Sequence, residues 1–292
     1  MSSWVIGNIE KVVNLSNGCQ IKIEEEGSVR VILGINRSFN ESRIEQKIIL
    51  YRDLERIDFV TKIDWQEKGS QKEGIPMLRV SFHLNFSSPE ATFEIPFGHI
   101  KRPALGEEMP ALRWMDVSKA DYGVSLINDC KYGHQVQGNI MSLTLLRSPY
   151  EPDALPDVGI HHIGYAIYPH KGRWKRDKTI RKAAEFNQPL LAQWQKVQGG
   201  NLPSSFGLLN LEQSNLVVSG LKKTEDDKGI ILRFYEVEGK KTTAILASNL
   251  PLASCTETNL LEEKERNNLS LIEEKVQIKV LPFEIKTLLL LR

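Results

Sequence analysis

Apolar and polar residues alternate, or apolar residues form short runs, through IEQKIILY (44–51), RIDFVTKIDW (56–65), LRVSFHLNF (78–86), ATFEIPF (91–97), YGVSLIND (122–129), NIMSLTLLR (139–147) and HHIGYAIYP (161–169). A strand turns successive side chains to opposite faces, so each segment predicts a β-strand, and the Asn, Gly, Pro and Ser between them supply turns. No helical pattern separates neighbouring strands, which argues an antiparallel sandwich rather than βαβ units.

One segment changes period. Over 174–197, WKRDKTIRKAAEFNQPLLAQWQKV, apolar residues fall at helical spacing: Ile180, Ala183, Ala184, Leu191 and Trp194. This predicts a helix that Pro189 ends or kinks, because proline lacks an N–H and clashes with the preceding turn. QGGNLPSSFG (198–207) reads as a connecting loop. Short strands then resume in LLNLE (208–212), NLVVSGLKKT (215–224), GIILRFYEV (229–237), TTAILAS (242–248) and VQIKVLPFEIKTLLLL (276–291). TEDDKG (224–229) is a hairpin turn, and the charged, Asn-rich ETNLLEEKERNNLS (257–270) a solvated loop or hairpin excursion. The expected division is a larger β-domain over 1–200 and a small β-sandwich over 201–292.

Composition narrows the function classes. A chain of 292 residues with 41% hydrophobic and 26% charged residues can bury one large or two smaller cores. Lys plus Arg number 38 against 37 for Asp plus Glu, so no long-range field steers nucleic acid or an anionic membrane. A neutral sugar needs no such field. Cys19, Cys130 and Cys255 are odd in number and far apart, which is no disulfide framework and fits a reducing compartment. MSSWVIGNIEKVV carries no signal-peptide pattern, and the closing apolar run, KTLLLLR, is too short to span a bilayer. These features point to a cytoplasmic location.

A longer set of segments points further. IDFVTKIDWQEK (57–68), SPEATFEIPFGHIKRP (88–103), RWMDVS (113–118), YGVSLINDCKYG (122–133), LTLLRSPYEPD (143–153), YAIYPHKG (165–172), AAEFNQPL (183–190) and LKKTEDDKGIILRFYE (221–236) span nearly the whole chain. In order and spacing they resemble the C-terminal β-domain of glycoside hydrolase family 38, the α-mannosidases. The resemblance implies a mainly β fold: a galactose-mutarotase-like antiparallel β-supersandwich, then a smaller β-sandwich, with one helix between them. It also implies an absent N-terminal catalytic barrel, which in full-length members carries a nucleophilic Asp, an acid carboxylate and a zinc held by His and Asp. The family's first zinc pair has the form His-x-Asp. None of His83, His99, His134, His161, His162 and His170 has Asp two residues on. The chain is thus expected to carry no cofactor of its own, and the first strands of the supersandwich are expected to be missing or shortened. Its expected partners are the N-terminal catalytic domain or subunit and a mannoside or oligosaccharide substrate, and nothing in the sequence opposes a homo-oligomer.

No catalytic motif stands on its own. A retaining glycosidase needs two carboxylates roughly 5–5.5 Å apart, and sequence spacing cannot place such a pair. Glu90 and Glu94 would share a strand face, most simply a solvated one. In NDCKYG, Asn128, Asp129, Lys131 and Tyr132 offer donors, acceptors and one aromatic ring to a sugar, or else form a hairpin turn whose Asn and Asp satisfy their own backbone. The family match places this loop toward the barrel's active site. In FGHIKRP, His99 and Arg102 are interface or substrate candidates, against a structural role in which Arg102 pairs a carboxylate. In HHIGYAIYPH, adjacent His161 and His162 face opposite ways, so they cannot chelate one metal, and His162, Tyr165 and His170 have two readings, as polar linings of the sandwich cleft or as packed residues. Arg147, ending its strand, is a further interface candidate. Two alternatives stand beside the mannosidase reading: a free-standing carbohydrate-binding sandwich using Trp65, Trp114, Trp174 or Trp194, and a mutarotase-like enzyme using His and Glu.

Overall fold

A computed structural model describes residues 6–175, 178–196, 199–201, 203–272 and 275–291, and all their side chains except those of 264–267. The chain divides into two compact units. One holds residues up to Ile95 together with Ile100–Pro189, and the other holds Pro96–His99 together with the residues from Leu190 on.

The first unit is built on strands β1 (Gln20–Glu26), β2 (Arg30–Phe39), β3 (Ser42–Tyr51), β4 (Ile57–Trp65), β5 (Met77–His83), β6 (Glu90–Ile95), β7 (Gly98–Pro103), β8 (Leu105–Pro110), β9 (Trp114–Ser118), β10 (Tyr122–Asn128), β11 (Gly133–Gln137), β12 (Ile140–Arg147) and β13 (Gly159–Lys171). They form a nine-stranded sheet in the order β1-β2-β3-β4-β13-β10-β9-β6-β7 and a four-stranded sheet in the order β5-β12-β11-β8. The two sheets share one core. Ile63, Trp65, Phe93, Met115, Leu126, Ile163 and Tyr165 come from the larger sheet, and Leu78, Val136, Met141 and Leu143 from the smaller.

Strand β13 explains the layering. It pairs antiparallel with β4 on one edge and β10 on the other. Ile163, Tyr165 and Ile167 enter the inter-sheet core, whereas Ala166, Tyr168 and His170 are buried on the opposite face. That opposite face is covered by the helix α1 (Thr179–Asn187), which buries Thr179, Ile180 and Ala183 and packs on β9 and β10. Beneath it lies a buried polar network. Asp116 accepts hydrogen bonds from Ser118 (2.6 Å) and Ser125 (2.8 Å) and stands 2.7 Å from His170 Nε2, and the Ser125 hydroxyl bonds that of Thr179 (2.9 Å). Trp114 and Trp174 pack beside it with ring centroids 5.1 Å apart.

The helix is shorter than its apolar periodicity predicts. It stops at Asn187, and Pro189 follows as the expected breaker. Leu190, Leu191 and Trp194 then lie in irregular chain and are almost wholly exposed, at 100%, 97% and 100%. Their spacing therefore marks no helix face. Positions 176, 177 and 197 of the expected helix, 198 and 202 of the expected loop, and the first five residues lie outside the described residues.

The second unit comprises β14 (Leu209–Leu211), β15 (Leu216–Lys223), β16 (Gly229–Glu236), β17 (Thr242–Ser248), β18 (Ser254–Thr258), β19 (Lys264–Leu269), β20 (Leu271–Ile272), β21 (Lys275–Val280) and β22 (Ile285–Leu291). Its two sheets run β14-β17-β21-β20 and β15-β16-β22-β18-β19. Leu232, Phe234, Leu288 and Leu290 from one sheet meet Ala244, Leu246, Val276 and Ile278 from the other. The expected single strand over 276–291 is two, because Phe283 adopts a left-handed φ of 58° and turns the chain between β21 and β22. The segment 257–270 forms the β18–β19 hairpin.

Buried Glu236 holds that turn. Its carboxylate accepts N–H bonds from Glu238 (2.7 Å), Gly239 (2.7 Å), Lys240 (3.1 Å) and Phe283 (3.0 Å), and one from Asn215 Nδ2 (2.8 Å). Burial pushes its pKa up, but these donors outweigh it and hold the carboxyl below its ordinary value. A depressed native pKa contributes stability above the unfolded-chain value that is lost as pH falls through the native one. Glu236→Ala should destabilise this unit by about 3 kcal/mol through stranded buried donors. Urea unfolding at pH 7 and near pH 4 should show the wild type losing stability on acidification and the variant losing less.

Candidate functional site

The polar turn after β10 is held by its own first residue. Asn128 is 1% exposed, and its side-chain oxygen accepts the N–H groups of Cys130 (3.1 Å) and Lys131 (2.6 Å). Its amide nitrogen donates to Leu112 O (3.0 Å) and lies 3.2 Å from His134 Nε2. Asn128 is therefore fully engaged in shaping the turn, as an Asx residue does. Burial pushes the His134 pKa down to about 4, so the ring is neutral near pH 7.

The following residues face outward. Asp129 is exposed and clamps β13, accepting the Gly164 N–H at 2.9 Å while its own N–H donates to Gly164 O at 3.1 Å. Gly164 has no room for a side chain, since a Cβ there would sit 2.7 Å from Asp129 Oδ2 and 3.4 Å from Phe186. Arg56 lies over the Phe186 ring at 5.0 Å and forks onto Asp58 at 2.5 and 3.0 Å. Asn187 Nδ2 donates to Asn128 O (3.1 Å), tying the end of α1 to the turn. Lys131 is half-buried and Tyr132 is 60% exposed. Burial of the Cys130 thiol, with the Asp129 carboxylate beside it, pushes its pKa up to about 12 and disfavours the thiolate.

The other sequence candidates scatter. His162 is exposed in β13 opposite Lys62 and shares the Gly164 face, near the turn but turned away from the inter-sheet cavity. His170, also on that face, is buried against Asp116. Of the three residues considered for the cleft in HHIGYAIYPH only Tyr165 lines it, because the pleat sends odd and even positions to opposite faces. Arg102 pairs no carboxylate among the described residues: it donates to Pro110 O at 2.8 Å and lies over Phe93 at 5.1 Å. His99 packs in the second unit, its ring 5.8 Å from Phe283. Glu90 bonds Lys101 (2.5 Å), and buried Glu94 bonds Arg113 (2.5 Å), so they form no acid–base pair. Trp65, Trp114 and Trp174 are core residues, and only Trp194 among the four candidate tryptophans is exposed.

Arg147 belongs to a second place. With Tyr150 and Tyr165 it lines a cavity of about 1370 Å³ in the first unit, between β2, β3, β4 and β13 on one side and β5 on the other. Tyr165 OH accepts from Gln46 Nε2 at 2.7 Å, and burial pushes the phenol up to about 12. Arg37 and Arg79 also line it. The Nε of Arg37 and the Nε and Nη2 of Arg79 are buried and reach no hydrogen-bond partner among the described residues. Neither arginine stood out in the sequence, where both read as ordinary polar strand positions.

Among the described residues no three His, Cys, Asp or Glu side chains converge as a metal-ion set. The zinc that the family resemblance implies belongs to the N-terminal barrel, and the described residues offer no set to hold it. No described helix is long and apolar enough to cross a membrane.

A large and then a small antiparallel β-sandwich, with a polar turn displayed on the larger sheet, is the class of protein these features define. Comparison with known proteins gives the family. The sequence profile of the glycosyl hydrolases family 38 C-terminal domain matches residues 1–155, and that of the family 38 C-terminal beta sandwich domain matches 215–288. The chain belongs to glycosyl hydrolase family 38. It is 34% identical to alpha-mannosidase 2C1 of Mus musculus over 85% of its own length, which is 24% of that protein. It is 32% identical to alpha-mannosidase G of Dictyostelium discoideum over 97% of its length, 27% of that protein. The chain thus spans about a quarter of the relatives it matches. The crystal structure of an alpha-mannosidase from Enterococcus faecalis superposes with a TM-score of 0.75 at 18% identity, covering 94% of this chain and 35% of that one.

Gly164→Ala tests the turn's anchoring. The added methyl group should push Asp129 off β13 and cost about 1–3 kcal/mol, as overpacking does. Faster amide exchange at Asp129 and Gly164, with the inter-sheet core still protected, is the expected signature. Unchanged exchange at both would show that the clamp does not hold the turn.

Proposed function

We propose that this chain is the C-terminal, non-catalytic part of an α-mannosidase that hydrolyses terminal α-mannosides. It walls the substrate cleft and supports a separate N-terminal barrel, which carries the catalytic carboxylates and the zinc. What carries this reading is the match of both C-terminal family profiles, in order, in a chain spanning about a quarter of alpha-mannosidase relatives. Within the chain, the Asp129–Tyr132 turn is the part assigned to the cleft. Asp129 is pinned through its backbone and one carboxylate oxygen, so it presents a fixed acceptor to sugar hydroxyls. The exposed Tyr132 ring suits the apolar face of a pyranose. Lys131 and His162 supply further polar groups at that face. Three unpaired cysteines support work in the cytoplasm.

A free-standing carbohydrate-binding module is the weaker reading, since its proposed aromatic platform is largely core: Trp65, Trp114 and Trp174 are 2%, 0% and 4% exposed.

Hydrolysis of a chromogenic α-mannoside, with zinc supplied, separates the two. The chain alone should be inactive, and mixing it with the N-terminal part of a family 38 mannosidase should restore turnover. Turnover by the chain alone, or none on mixing, would sink the proposal. In the reconstituted enzyme, Asp129→Ala and Tyr132→Ala should each raise KM roughly tenfold, the equivalent of about 1.4 kcal/mol. Unchanged kinetics in both would remove the turn from the cleft.

A further inference from the structure

One buried ring closes the turn that carries Asp129 and Tyr132. His134 is 0% exposed and lies in β11 opposite the core residues Leu143 of β12 and Met109 of β8. Its two nitrogens reach the two ends of the turn. Nδ1 stands 3.0 Å from Tyr132 O, and Nε2 stands 3.2 Å from Asn128 Nδ2.

The neighbours fix where every proton sits. A carbonyl oxygen only accepts, so Nδ1 carries the ring hydrogen and donates it to Tyr132 O. Nε2 is then a bare acceptor, and the Asn128 amide nitrogen donates to it. The oxygen of the same amide is committed to the N–H groups of Cys130 and Lys131. Tyr132 O also accepts the Ala111 N–H at 3.0 Å, so the end of the turn is held from two sides.

A second ring proton has no place in this arrangement. Nε2–H would face the Asn128 NH2, donor against donor. Turning the amide over would give the ring an acceptor, but Cys130 and Lys131 would lose theirs and the amide oxygen would face Leu112 O. Either way the turn gives up bonds. Burial is the main force against protonation, the Arg102 charge adds to it, and together they outweigh the Tyr132 carbonyl and lower the pKa from 6.5 to about 4. Stability is therefore full above the unfolded-chain value and declines as pH falls below it, and the native ring takes its proton near pH 4. Asp129 is held separately, through both of its bonds to Gly164. Release of the ring thus frees Tyr132 and leaves Asp129 in place.

We propose that neutral His134 is the positioning residue of the sugar-facing turn: it fixes the Tyr132 backbone so that the exposed phenol ring meets the sugar, and acid undoes it. This rests on the function proposed above and adds a pH limit to the same site.

NMR of the chain alone gives the first readout. The His134 ring should carry its hydrogen on Nδ1 at pH 7. Between pH 7 and pH 3.5, amide protection at Cys130 and Lys131 should fall at least tenfold in the wild type, with Ile63 and Met115 still protected. His134→Gln, which keeps one donor and one acceptor but does not titrate, should lose less than twofold, although Asp129 titrates in both. Kinetics at pH 7, after mixing with a recombinant N-terminal part of the Dictyostelium alpha-mannosidase G, give the second. His134→Leu should raise KM roughly tenfold with kcat within twofold, and His134→Gln should leave KM within twofold. The His134→Leu effect should multiply with that of Asp129→Ala and add nothing to that of Tyr132→Ala. Thermal unfolding checks that His134→Leu folds, and the wild-type titration with His134→Gln decides the case if it does not. A ring hydrogen on Nε2, protection unmoved by acid, or effects that multiply with Tyr132→Ala would each overturn this inference and leave the proposed function standing. No activity on mixing would overturn both.

Discussion

The pleat of β13 is the constraint on which the first unit depends. Hydrogen-bonded to β4 and β10 on its two edges, this strand is buried on both faces over much of its length. Its odd residues complete the core between the sheets, and its even residues roof the Asp116–His170–Ser125–Thr179 network beneath α1. A shift of one residue would exchange the two sets and place His170 in a hydrocarbon core. Gly164 sits on the even side, where the Asp129 carboxylate takes the space of a side chain. The polar turn is thus located by the same register that fixes the core.

Most of this was legible as period two or as apolar runs. Strand β4 announces itself because its buried and exposed residues alternate, whereas β12 and β13 read as apolar runs because much of their length is buried on both faces. Strand β1, QIKIEEE, does neither, since it is an edge strand exposed on both faces and no burial imposes a pattern. Ile21 and Ile23 are 63% and 62% exposed. The helix misled in the other direction. Leu190, Leu191 and Trp194 continue the helical spacing, but periodicity states only that a helix would be amphipathic, and Pro189 decides that there is none.

The candidate site was legible in part. NDCKYG carries both of its readings at once: Asn128 satisfies the turn, while Asp129 and Tyr132 remain on the surface. Alternation correctly separated His161 from His162, yet could not say which face of the sheet held the cavity, since both faces are covered. Arg79 was invisible for a different reason. In MLRVSFH it stands between Leu78 and Val80, as any outward strand residue would. Its buried guanidinium beside the cavity is set by packing against distant strands, which no local pattern records.

The pairing of β4 with β13 has a kinetic side. Trp65 meets Gly159, and Ile57 meets Ile167, so this central ladder closes over about a hundred residues of chain. The meander from β1 to β4 pairs locally and can assemble early, but β4 must then wait, with one backbone edge open, for a strand more than three hairpins downstream. Such distant pairing folds in milliseconds to seconds rather than microseconds, and an open apolar edge held that long invites association between chains. Production of this protein should therefore be limited by how long β4 stands unpaired during synthesis, so that slower translation or a chaperone covering that edge matters more to its yield than any change to the finished surface.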